Sequence, residues 1–261
     1  MLGRTDYQET QKHLAVASDG HGWVSHIRAA LARDLPEFIP TTLPHDGTFV
    51  VCGSGPSLPE SLEAIRAQQA KRRPICAIKG THDYLVEQGI EPSLFVSVEP
   101  RDRSQQVRLQ TTRTLYYLAS RVHPAVFDQL EDRNIIVFHT YGTDNDLPEL
   151  AGRLLVGGGT TSGLRAITLG YLMGFAKFVL YGFDSCLATD GQTKRFSGEQ
   201  AGTVLDRWVN GERFLCNGAM AMQADEFQQI YNVFPDITFE IPGNGLLAAI
   251  VKERRRLGKH A

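Results

Sequence analysis

The sequence predicts an α/β fold built on a mainly parallel sheet with helices on both faces. Three observations predict it. Short, continuously apolar runs recur through most of the chain, as expected of strands covered on both sides. Amphipathic stretches of helical period separate them, which gives the alternation of a doubly wound sheet. Two of the runs flow through glycine- and serine-rich turns into helices, in VVCGSGPSL (50–58) and GGGTTSGL (157–164).

Taken in order, residues 7–34 read as helical, with Ile27, Leu31 and Leu35 at helical spacing, and the proline-rich PEFIPTTLPHDG (36–47) ends that helix. Residues 1–47 are thus expected to form a helical N-terminal extension to a main domain spanning 48–261. Strands are expected at 48–51, 74–78, 94–98, 114–119, 134–138, 178–182 and 237–241. Helices are expected at 57–72, 81–88, 124–131, 161–173, 218–231 and 245–257. The polar segment 185–217 breaks the rhythm and reads as a lid-like insertion, with a hairpin turning at Asn210-Gly211.

Composition bounds the function. The chain has 261 residues, 42% hydrophobic and 21% charged, with a net charge of −2. That is enough apolar material for one large core, and it gives no global basic field for nucleic acid. The basic KERRRLGKH (252–260) reads as a solvated helix end, with nucleic-acid contact as the alternative. Four widely spaced cysteines without a C-x-x-C pair point to reduced thiols. The charged N-terminus lacks the apolar core of a signal peptide, and no apolar run approaches the roughly 18 residues of a membrane span, so a cytoplasmic protein is expected.

In a parallel sheet, ligands bind beyond the carboxyl ends of the strands, near the point where strand order reverses. Gly53 and Gly55 allow a sharp turn and a close backbone approach, Ser54 adds a hydroxyl, and Ser57 or Pro56 starts a helix whose amides favour an anion. The reading is a phosphate cradle; the alternative is a bare strand–helix turn. The stretch lacks a Walker G-K-[ST] and the third glycine of a dinucleotide site. Thr161, Ser162 and Gly163 form a second hydroxyl-rich helix start, and Asp184 closes the strand that follows. Lys79, Thr81 and His82 follow the second strand and should face the same crevice, with Lys79 neutralising phosphate or simply solvated. Glu99 and Asp102 end the third strand. They read either as hard oxygen ligands for Mg²⁺ or as members of a salt-bridged loop. His139 ends the fifth strand on the side expected of a general base, while His123, before Pro124, reads as structural. Lys194 and Arg195 in the insertion read as a phosphate clamp or a solubilising pair.

GSGPSL, GIEPSLFVSVEPRD and TTSGLRAITLGYLMGFAKFVLYGFD resemble the MptE-like domain over roughly residues 48–250. That superfamily includes archaeal-type 6-hydroxymethylpterin diphosphokinases and motility-associated-factor glycosyltransferases. The two turns also look like those of bacterial lipooligosaccharide sialyltransferases. The resemblance implies a Rossmann-like fold. It implies that Gly53, Ser54, Gly55 and Ser57 hold nucleotide phosphate, aided by Thr161, Ser162 and Gly163, with Asp184 as the acidic strand end. Glu99 stands where many members carry aspartate, and Ser93 replaces another aspartate of the pattern, which departs from a metal-binding cluster. Sialyltransferases of this kind place a histidine base after the G-x-D strand end, yet residues 185–204 contain no histidine.

Together these readings favour a nucleotide-dependent transferase, a glycosyltransferase with a nucleotide-sugar donor. Glu99, Asp102, His139 and Asp184 would surround the acceptor. The alternatives are a Mg²⁺-dependent diphosphokinase using ATP, and a non-catalytic nucleotide-binding protein. The expected partners are small molecules, with homo-oligomers possible; no membrane is expected, and nucleic acid is the less favoured alternative.

Overall fold

The computed structural model describes residues 22–41, 43–142, 147–194, 199–200, 203–234 and 236–258. The expected helix over 7–21 and the expected clamp residue Arg195 lie outside these, as does the side chain of Lys194.

Eight strands form one parallel sheet. They are β1 (His45–Cys52), β2 (Ile75–Ile78), β3 (Leu94–Ser97), β4 (Leu115–Ala119), β5 (Asn134–Thr140), β6 (Leu155–Val156), β7 (Phe175–Tyr181) and β12 (Thr238–Glu240). Their order is β12-β7-β1-β2-β3-β4-β5-β6, and every pairing is parallel. The continuous apolar runs follow from burial on both faces. Phe49 and Val51 of β1 enter the larger core cluster with Phe178 and Leu180 of β7. The alternate residues Val50, Cys52, Val179 and Tyr181 enter the smaller one on the other face. The doubly wound α/β class is therefore the observed fold. All four cysteines are free and buried.

The helices are α1 (Trp23–Leu31), α2 (Leu62–Ala70), α3 (Thr81–Glu87), α4 (Pro124–Gln129), α5 (Ser162–Leu172), α6 (Gly218–Val233) and α7 (Leu246–Arg256). The helix expected from residue 57 starts later. A 3-10 turn at Pro59–Ser61 precedes α2, so Ser57 does not cap it. The expected structural role of His123 is seen directly, since its ring accepts the Ala125 amide at the start of α4. The strap after α1 joins the main sheet. The Phe38 amide donates to the Val137 carbonyl and the Val137 amide to the Pro36 carbonyl.

Inside 185–217, β8 (Gln192–Lys194) pairs with β9 (Glu199–Gln200), and β10 (Leu205–Val209) with β11 (Glu212–Cys216). The second hairpin turns where the sequence predicts. Asn210 and Gly211 have φ of 50° and 80°, the two positive values a type I′ turn requires. Strand β6 was not expected; with two residues it carries no periodic signal. Among the described residues, no helix is long and apolar enough to cross a membrane.

Strand order departs from β1 in both directions, so the reversal point lies between the ends of β1 and β7. Here the two chains nearly touch. The Gly53 amide donates to the Tyr181 carbonyl and the Gly55 amide to the Gly182 carbonyl, both at 2.8 Å. Gly182 has φ 65°, and a Cβ there would lie 2.5 Å from the Gly53 carbonyl oxygen. Gly182→Ala is therefore expected to destabilise the fold by about 2 kcal/mol through strain and displaced backbone. A thermal melt matching that of the unsubstituted protein would show that the junction yields without cost.

Candidate functional site

The junction opens into a cavity of about 850 Å³ at the carboxyl end of the sheet. Its floor is the Gly53–Pro56 turn and the start of α5. One wall carries Lys79, Glu99 and Arg101, while Ile78, Phe183, Ala219 and Met220 give it an apolar side.

The first turn is organised by protein, not left open. The Ser57 amide and hydroxyl both donate to Asp184 Oδ2, at 3.0 and 2.9 Å. A Cβ on Gly55 would lie 2.2 Å from that oxygen and 2.6 Å from the Gly182 carbonyl. The glycine is thus required by Asp184 and Gly182, which fill the space on its Cβ side, while the turn itself still lines the cavity. With the amides of Gly53, Gly55 and Ser57 engaged, Ser54 is the polar residue this turn turns toward the cavity. Asp184 is nearly buried, and desolvation raises its carboxyl despite the two Ser57 bonds.

The second turn is clamped in the same way by a residue the sequence reading missed. The Thr160 amide and hydroxyl donate to Glu226 Oε2 of α6 at 3.1 and 2.9 Å. Burial raises this carboxyl too. Thr161 caps α5, its hydroxyl accepting the Leu164 amide at 3.3 Å and Gln223 Nε2 at 3.1 Å. Ser162 Oγ accepts the Val98 amide at 3.2 Å, which ties the end of β3 to the start of α5. The amides of Ser162 and Gly163 lie in the first helical turn, where no carbonyl one turn behind can take them. Both residues border the cavity although they are almost fully buried, so the positive end of α5 is directed at it from beneath its surface.

Glu99 sits at the centre of the cationic wall. Lys79 Nζ donates to its Oε2 at 3.0 Å, and Arg101 donates through Nε to Oε1 at 2.7 Å and through Nη2 to Oε2 at 2.9 Å. Burial opposes its ionisation, but the Arg101 hydrogen bonds and the Lys79 charge overcome this and hold the carboxyl at about 2. Lys79 itself has φ 48°, a left-handed conformation rare outside glycine. The neighbouring Asp102 is highly exposed and accepts the Ser104 amide and hydroxyl at 3.0 and 2.8 Å. A Mg²⁺ ion takes hard oxygen ligands and keeps several waters. Glu99 already carries two cations and Asp102 Oδ1 is taken by its own loop, which disfavours a divalent ion between them. Among the described residues, no group of three or more acidic, histidine or cysteine side chains fits a metal either.

Other expected members lie elsewhere. Thr81 and His82 are fully buried beneath the cavity, with the His82 ring packed against Phe95 and Tyr116. Both therefore point into the core and not into the crevice; α3 turns its first residues inward. His139 is buried beside a separate cavity of about 300 Å³ near the strap. Its Nδ1 meets Ser120 Oγ at 3.0 Å and its Nε2 lies 3.3 Å from Glu37 Oε2. Burial lowers its imidazole more than Glu37 raises it. It is not part of the lining that holds Lys79, Glu99 and Ser162.

Two outcomes test these assignments. Asp184→Asn keeps an oxygen for both Ser57 donors and removes a buried charge, so its melting temperature should equal or exceed that of the parent near neutral pH. Asp184→Ala strands the Ser57 amide and should lose about 1–3 kcal/mol; equal damage from both would place the value of Asp184 in its charge. The Glu99 cluster has a defined pH sign. A depressed carboxyl adds stability above its ordinary value of 4.5, and that stability drains away as the pH falls toward about 2. Denaturant titrations of the parent should show this acid loss, and Glu99→Gln should show less of it.

The family model described as "6-hydroxymethylpterin diphosphokinase MptE-like" matches residues 26–190, well over half of the chain. Among solved structures, the MAf glycosyltransferase from Magnetospirillum magneticum AMB-1 superposes with a TM-score of 0.66 at 16% identity. The match covers 91% of this chain and 41% of that one, so this chain spans under half the length of its structural neighbour. No curated protein matches significantly.

Proposed function

The chain belongs to the MptE-like family, and from that premise we propose that it is a nucleotide-dependent transferase: a glycosyltransferase with a nucleotide-sugar donor. The observation that carries the proposal is the pairing, in one cavity, of the α5 amides with Lys79 and Arg101. The Val98–Ser162 bond holds these two elements together. Amide dipoles and fixed cations stabilise the negative charge that develops on a departing phosphate without a metal. The apolar side formed by Phe183, Ala219 and Met220 suits a base or sugar face. In this reading Lys79 and Arg101 contact phosphate oxygens, and Ser54 and Thr161 add hydroxyls at the floor. Glu99, ionised at all ordinary pH values, holds the two cations, so it is a poor acceptor of a substrate proton. His139, on the strap side of the sheet, is too enclosed to reach one.

A second reading rests on the family description, transfer of diphosphate from ATP to a pterin alcohol. That chemistry draws on a divalent ion bridging donor phosphates, and Glu99 with Asp102 does not supply its site.

The deciding assay offers a panel of nucleotide sugars with and without EDTA, and ATP with Mg²⁺ and 6-hydroxymethylpterin alongside. The expected result is release of nucleotide from one sugar donor, undiminished by EDTA. Lys79→Ala should lower kcat/KM about tenfold or more, as loss of one charge-assisted bond implies. Strict Mg²⁺ dependence with diphosphate transfer to the pterin would establish the second reading. Nucleotide binding without turnover of any donor would make the protein a binding module.

A further inference from the structure

The cavity has a second cationic region that the donor reading leaves unused. The loop between β3 and β4 brings Arg103 and Arg108 to the cavity lining, beyond Arg101. Both are exposed at their side chains, while the loop backbone beneath them is fixed. Asp83, nearly buried, accepts the Arg108 amide at 2.8 Å and the Leu109 amide at 3.2 Å, and its other contact is His82 Nδ1 at 3.1 Å. Asp102 accepts the Ser104 amide and hydroxyl on the residue after Arg103. Two carboxylates thus spend themselves on backbone amides and shape the loop. The Asp83–Arg108 guanidinium separation is 3.9 Å, at the limit of an ion pair. The loop backbone is thus fixed by Asp83 and Asp102, while Arg103 and Arg108 keep exposed side chains at the cavity lining.

Arginine in this setting has a particular meaning. Its planar fork matches carboxylate and phosphate oxygens, and it sheds water more readily than lysine. On the donor reading, the α5 amides, Lys79 and Arg101 are the groups assigned to the phosphates of one nucleotide, which leaves Arg103 and Arg108 of the same lining without a role. We infer that the acceptor substrate is itself an anion, bearing a phosphate or carboxylate group, and that Arg103 and Arg108 form its recognition site. This rests on the nucleotide-sugar reading for the words donor and acceptor. The two anion sites are nonetheless separable by experiment.

The test uses the full chain and three variants: Arg103→Ala, Arg108→Ala and, as a control for bulk charge, Arg113→Ala, whose side chain is 84% exposed and absent from the lining. Inorganic pyrophosphate probes the donor end by titration calorimetry. Glucose 6-phosphate, glucuronate and glucose probe the acceptor end in its presence, the first two separating phosphate from carboxylate. Glucose 6-phosphate or glucuronate should bind the parent and glucose should not. Either loop substitution should weaken that binding tenfold or more, while pyrophosphate affinity stays within about twofold and Arg113→Ala changes nothing. Parallel loss of pyrophosphate binding would assign both arginines to the donor phosphates and overturn the inference. So would equal anion binding by parent and loop variants, or an equal loss in Arg113→Ala. Failure of pyrophosphate to bind the parent, with the acceptor probes still sensitive to Arg103 and Arg108, would sink the donor reading alone.

Discussion

The contact between the Gly53–Ser57 turn and the Gly182–Asp184 strand end sets the position of everything else in the crevice. Two backbone bonds at 2.8 Å draw the turns together, and Asp184 locks them by taking both donors of Ser57. Burying a carboxylate costs free energy unless hydrogen bonds offset it, and its raised pKa records the residual cost. The consequence travels onward through Phe183. That ring lies where a Cβ on Gly163 would approach it within 2.9 Å, so α5 can seat its first turn only because residue 163 has no side chain. The first-turn amides of Ser162 and Gly163 are therefore placed by a lock on a different pair of strands.

Glu226 repeats the device on the other turn. One oxygen again accepts an amide and a hydroxyl from one residue, here Thr160, across 66 positions of sequence. Both locks put a carboxylate behind a turn expected to receive an anion. Left uncompensated, two such charges would repel phosphate. The compensation lies just beyond the ends of β2 and β3, where Lys79 and Arg101 line the cavity, while the locks sit nearly buried behind it.

How much of this is legible in the sequence depends on the range of the interaction. The strands β1 to β5, β7 and β12 were legible because continuous apolar character is a local signature of burial on both faces. The Asn210-Gly211 hairpin was legible because only such residues tolerate two successive positive φ values. The glycines of the first turn stand out in the sequence, but nothing local says that Gly182 and Asp184 occupy the space beside Gly55. Glu226 lies in a helical stretch with no local signal that sets it apart, and its partner is 66 residues away. His139 was placed on the correct strand end. Its enclosure comes from Glu37 on the strap, a pairing between segments that sequence period cannot link. Thr81 and His82 show the limit of strand-end reasoning, which locates a residue along the sheet but not the direction of its side chain.

The Glu99 cluster poses the last physical question, why a crevice suited to anions should keep an ionised carboxylate among its cations. Lysine and arginine each carry about 2 kcal/mol of side-chain entropy, and fixing such a side chain at binding costs roughly 0.5–1.5 kcal/mol. Glu99 removes part of that cost in advance by holding Lys79 and Arg101 in place before ligand arrives. It does so at the expense of one unit of positive charge, leaving the three groups at a net +1. A singly charged ligand gains little from cations already neutralised by half. A diphosphate brings more charge than Glu99 supplies and reaches the α5 amides at the same time, so it draws on both the preset geometry and the remaining field. On the proposed function, this arrangement would favour a ligand carrying several linked negative charges over a simple anion.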